Sequence, residues 1–153
     1  MEDIRRILVV SRMTRYCRKA VHYGISLSQK YGAELYVLHV VHDSFIFGRW
    51  NLPIPSLEEE YKRALQEAKG ELHAIIDLER KKGMDIKEVI KEGKPIEEIF
   101  NTVKEEQIDL IIVLAHEESH LEHFLFGRSN DELVRKMPCS VLLVKKEPES
   151  GGF

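Results

Sequence analysis

Asp109-Leu110-Ile111-Ile112-Val113-Leu114 is the most apolar run in the chain. Aliphatic side chains in unbroken succession, without polar alternation, imply a strand covered on both faces, as in a parallel sheet. Four further runs share that character. Ile7-Leu8-Val9-Val10 comes first, then Leu35 to Val41, then Ile86 to Ile90, and Ser140-Val141-Leu142-Leu143-Val144 closes the series. Each is too short for a buried helix and most are rich in β-branched residues.

The segments between the runs change to helical period. Cys17, Ala20, Val21, Gly24, Leu27, Ser28 and Tyr31 recur at three and four, which puts one small apolar stripe on a helix ended by Gly32. A longer helix is expected over roughly Leu57 to Lys82, with Leu57, Tyr61, Ala64, Leu65, Ala68, Leu72, Ile75 and Ile76 inward. Ser56 with Glu59 reads as its capping box, and Gly83 as its stop. Pro95 starts a third helix at a position where its missing N–H costs nothing, with Ile96, Ile99, Phe100 and Val103 inward. Ser129 with Glu132 caps a short helix through Met137. Strand–helix alternation of this kind predicts an α/β fold, a doubly wound five-stranded parallel sheet with helices on both faces. One domain over residues 2–146 is expected, with residues 147–153 as a charged, glycine-rich, flexible tail.

Bulk properties narrow the function. Of 153 residues, 43% are hydrophobic and 32% charged, an ordinary globular balance. The net charge is −3 and no basic block is present, so nucleic acid is not an expected partner. Cys17 and Cys139 are far apart and form no CxxC, which points to a reducing compartment. No apolar stretch approaches a membrane span and the first residues carry no signal-peptide pattern, so the expectation is cytoplasmic, with no membrane partner.

The chain resembles the universal stress protein family from Ile7 to about Val144. The resemblance rests on Ile7-Leu8-Val9-Val10, Gly32-Ala33-Glu34-Leu35 continuing to Leu38-His39-Val40-Val41, Gly93 with Pro95, Asp109 to Val113, Gly127, and Pro138-Cys139-Ser140 to Val144. It implies an adenine nucleotide alpha hydrolase-like fold and a homodimer joined through the last strand, with Val141, Leu142, Leu143 and Val144 as interface candidates. It also implies that ATP or another adenine nucleotide is the ligand, held by an acidic residue after the first strand and a glycine-rich loop. This chain departs from that pattern. Arg12 occupies the acidic position, Leu114 and Glu117 occupy the first two glycine positions, and Gly127 is kept but followed by Arg128, with Ser129 one place late. Leu114 and Glu117 allow neither positive φ nor close backbone approach, and Glu117 repels phosphate. ATP is therefore expected to bind weakly or not at all.

Ligands of such sheets sit outside the carboxyl ends of the strands, where strand order reverses. That rule nominates Ser11 to Arg15, Val40 to His42 and Leu114 to Arg128. The candidate ligand-binding residues are Val10, Ser11, Arg12, Val40, His116, Gly127, Arg128 and Ser129. Arg12 and Arg128 are expected to share one anion, through charge-assisted hydrogen bonds and the N-terminus of the last helix. Surface charge is the alternative for Arg12, Arg15 and Arg128, and a helix cap is the first role of Ser129.

His116-Glu117-Glu118-Ser119-His120 reads literally as HExxH, with His123 as a third possible zinc ligand and Glu117 as a base. The motif follows an apolar strand rather than lying inside a long helix, and a solvated polar loop is the reading taken. No Ser/His/Asp order or nucleophile elbow is apparent, so no catalytic residue is assigned. His22, His39 and His73 read as structural, and Cys17 as an inert buried thiol. The connection from His42 to Pro55 carries Phe45, Ile46, Phe47, Trp50, Leu52 and Ile54, too apolar for a disordered loop. It reads as a lid, a packing segment or a protein-binding patch. A non-enzymatic regulatory domain binding a nucleotide or other anion leads. A ligand-free interaction module with an unknown protein partner follows, and a metal-dependent hydrolase comes third.

Overall fold

A computed structural model describes residues 3–11, 17–42, 55–115 and 129–145. The elements follow in the order β1 (Arg6–Ser11), α1 (Arg18–Tyr31), β2 (Glu34–His42), α2 (Pro55–Lys81), β3 (Ile86–Gly93), α3 (Pro95–Glu106), β4 (Leu110–Leu114), α4 (Ser129–Lys136) and β5 (Ser140–Val144). The strands form one sheet in the order β3-β2-β1-β4-β5. Every pairing is parallel, with Val9 opposite Val37 on one side and Ile112 on the other.

Side chains alternate across a strand, so the unbroken apolar runs feed two cores. Leu8, Val10, Leu38, Val40, Ile111 and Val113 face α3 and α4, where Ile99, Val103 and Leu133 meet them. Ile7, Val9, Leu35, Val37 and Ile112 face α1 and α2, where Ala20, Val21, Leu72 and Ile76 meet them. Ile7, Leu8, Val9, Ile111 and Ile112 are fully buried. Each such side chain contributes about 1.5–3 kcal/mol relative to exposure. Helices on both faces make this the doubly wound sandwich that the alternation predicts.

Several local expectations are corrected. Tyr31 leaves the buried stripe of α1 and is 58% exposed, while Ile25 joins the core instead. The left-handed turn at Gly32 (φ 65°) ends the helix directly after Tyr31, while Ser28, three residues earlier, is still buried. The second helix begins at Pro55, so Ser56 lies inside its first turn rather than before it. Proline at the start supplies a preset φ and needs no donor. The third strand runs on past Ile90 to Gly93, because β2 continues to offer it partners as far as His42.

Candidate functional site

From β1 the chain runs outward through β2 and β3, then crosses back to place β4 and β5 on the other side. Strand order therefore reverses between β1 and β4, and the crevice at their carboxyl ends is the candidate site. Ser11 ends β1, Leu114 ends β4, and Val40 lies near the end of β2. The three nominated segments thus start side by side. Val10 and Val40 are buried in the core beneath α3 and α4 and shape the floor. Ser11 is fully buried and stands in register with His39. Leu114 is 1% exposed, so an isobutyl group fills a position where a glycine-rich loop leaves backbone open.

One contact at this edge escaped the sequence reading. Asn130 Nδ2 donates to the carbonyl of Leu114 at 2.7 Å and lies 3.4 Å from that of Ala115. The N-terminus of α4 is thereby fastened to the carboxyl end of β4, beside the crevice. Ala115 N–H in turn donates to Val144 O at 2.8 Å, which ties the ends of β4 and β5 together. The only sequence signal was an amide in the first turn of a short helix, which is too common to interpret.

Arg12, Arg15, His116, Glu117, His120, His123, Gly127 and Arg128 lie outside the described residues, as does the aromatic segment over residues 43–54. Ser129 opens α4 with its backbone, while its side chain lies outside the description. Among the described residues, no group of three or more His, Cys, Asp or Glu is arranged to hold a metal ion. No described helix is long and apolar enough to cross a membrane.

Residues 3–145 match the family model described as the universal stress protein family. The chain belongs to this family. Universal stress protein MJ0531 of Methanocaldococcus jannaschii is 26% identical, over 93% of this chain and 82% of that protein. The solved structure of MJ0577, from the same organism, superposes with a TM-score of 0.69 at 25% identity, over 97% of this chain and all of that one. A universal stress protein family member of Arabidopsis thaliana, solved with AMP bound, has a TM-score of 0.59 at 15% identity. It covers 95% of this chain and 97% of that one.

A second polar cluster of this universal stress protein domain lies between the sheet and α2. His39 Nε2 is 2.8 Å from Glu88 Oε2, and His73 Nδ1 is 3.3 Å from Glu88 Oε1. Arg80 Nη1 reaches the same carboxylate at 2.9 Å and bonds the Ile86 carbonyl through Nε and Nη2. Burial pushes the His39 pKa below its usual value, against the pull of Glu88. His39 and His73, expected as isolated side chains, instead share one carboxylate. Glu88 follows Ile86 at the strand period on an inward face, which was the available signal.

The cysteines of the domain are poor nucleophiles. Cys17 is fully buried, and desolvation with nearby Asp109 raises the Cys139 thiol to about 11. Neither forms a disulfide. At neutral pH the thiolate, the reactive form, is a minute fraction of Cys139.

Proposed function

We propose that the domain is a non-enzymatic regulatory member of its family, acting in the cytoplasm as a homodimer and holding a phosphate-bearing anion at the carboxyl edge between β1 and β4. The observation that carries this reading is the Asn130 tether, which sets the N-terminal amides of α4 beside the switch crevice. Unpaired N–H groups and the helix dipole favour an anion there. The AMP carried by the Arabidopsis relative of the same fold supports a nucleotide as one form of that anion. In sequence, Arg12 and Arg128 take the positions where the family pattern has an acidic residue and a hydroxyl, and guanidinium groups there would supply charge in place of a glycine cradle. Titration calorimetry with AMP and with inorganic phosphate tests this. Arg12→Ala and Arg128→Ala should each weaken binding about tenfold, roughly 1.4 kcal/mol, with thermal midpoints unchanged. Equal affinity in wild type and both variants removes the shared site. A tight, stoichiometric, magnesium-dependent ATP complex overturns the replaced-cradle reading.

The dimer half of the proposal rests on the contrast between the sheet's two edges. β3 presents Lys87 and Lys91 with Glu92, charges that discourage strand addition. β5 carries no charge, and Leu143 is 46% exposed. Val134 and Met137 add exposed apolar surface at α4, at 44% and 52%. Val144, by contrast, is 3% exposed inside the protomer and offers a partner only its backbone. Sedimentation should therefore give a dimer at micromolar concentration, and Leu143→Glu a monomer with an unchanged unfolding midpoint. A wild-type monomer under those conditions sinks the edge-to-edge assembly. A dimer that binds neither AMP nor phosphate supports the interaction-module reading instead, with the aromatic 42–55 segment as its second surface.

A further inference from the structure

We propose that His39, Glu88 and His73 form an acid-sensitive latch that holds α2 against the sheet and releases it when His39 takes up a proton. His39 lies on the β2 face that α2 covers and is 3% exposed. The charged and titratable groups that face it are Glu88 from β3 and His73 and Lys69 from α2. Its register neighbour on β1 is Ser11, which carries no charge. Arg80, also from α2, engages the same Glu88 carboxylate and brings a cation to it. That carboxylate therefore already faces one cation, Arg80, before any imidazole is charged.

Hydrogen-bond chemistry fixes the tautomer. A carboxylate only accepts, so the His39 Nε2 that contacts Glu88 carries the hydrogen. Neutral His39 then keeps a bare lone pair on Nδ1, which is buried and finds no hydrogen-bond partner. A proton arriving at Nδ1 needs an acceptor, and among the described residues no protein group of the closed cluster offers one. Water reaches the ring when α2 lifts. That helix is the movable wall, because β2 is held in continuous register by β1 and β3 on either side. Its buried grip on the core is Ala68, Leu72 and Ile76.

The sign follows from linkage. Burial depresses the pKa of His39 in the closed state, so the open state binds more protons. Closure is therefore undiminished above the ordinary imidazole range and weakens as pH falls through it. One linked proton shifts the equilibrium by at most about tenfold per pH unit.

Amide hydrogen exchange on the full chain, expressed as protection factors at pH 7.5 and pH 5, tests the latch. Protection along α2 from Ala68 to Arg80 should fall about tenfold or more at pH 5, while that of α3 changes by less than twofold. His39→Gln, which keeps a donor but cannot titrate, should abolish the difference, and His73→Gln should leave it in place. Equal loss in α2 and α3 means global unfolding and overturns the proposal, as does a drop that survives in His39→Gln. Should His39→Gln fail to fold, the wild-type imidazole nitrogens decide by NMR. Protonation of His39 in step with loss of α2 protection supports the latch, and protonation with α2 still protected overturns it.

Discussion

Gly24→Val is expected to lower stability by at least ~3 kcal/mol, enough to leave a marginal domain largely unfolded. Gly24 lies in α1 where the helix presses on β1 and β2. A Cβ placed there overlaps Val9 Cγ2 and stands 3.1 Å from Leu35 Cδ1. Val9 and Leu35 are fully buried on strands held by neighbours on both sides, so neither can retreat. Valine adds two further methyl groups to that overlap. Alanine at the same position gains about 1 kcal/mol of helix propensity, which offsets part of its clash. Gly24→Ala keeps the Cβ overlap with Val9 and should therefore cost about 2 kcal/mol, less than valine. Urea unfolding of both variants measures the difference, and a valine variant as stable as wild type would show that α1 rides off the sheet.

The second large effect falls on Asp109, just before β4. Its Oδ2 accepts the backbone N–H of Arg5 at 2.8 Å and of Arg6 at 2.9 Å. Its own N–H donates to Arg6 O at 2.9 Å. One carboxylate thus sets the register in which β4 meets β1, at the sheet end opposite the crevice. Asp109→Ala removes two charge-assisted bonds, and solvent access at this exposed position lets water recover part of the loss. The expected cost is about 2 kcal/mol, with about half of it restored in Asp109→Asn, which keeps one acceptor oxygen. Denaturation of the two variants reads this directly. Phosphate and AMP affinity should be unaffected, because the staple lies far from the carboxyl edge. A loss of anion affinity with stability intact would reverse the assignment.

The fold was legible because its signals are local and redundant. Leu110 to Leu114 could be covered on both faces only inside a sandwich, and the four similar runs repeated the message. Tyr31 was misplaced because a spacing of three from Ser28 looks inward, although the helix ends directly after it at Gly32. The candidate site was legible only in outline. The carboxyl-edge rule brought Ser11, Val40 and Leu114 to one end of the sheet. The Asn130 contact depends on where a short helix lands after a crossover, and no spacing encodes that.

What the sequence by itself determined is the set of strands and helices, their parallel stacking and the membership of the family. Hydrophobic period and turn residues act over a few positions, so a linear reading can follow them. What only the tertiary structure decided is which polar groups lose their water. His39 and Glu88 are 49 positions apart, and each is unremarkable along the chain. Register places them on one face, and α2 seals them there with His73 and Arg80. Desolvation depends on the packed neighbourhood rather than on residue type, so a buried bare Nδ1 can be seen only in the assembled fold.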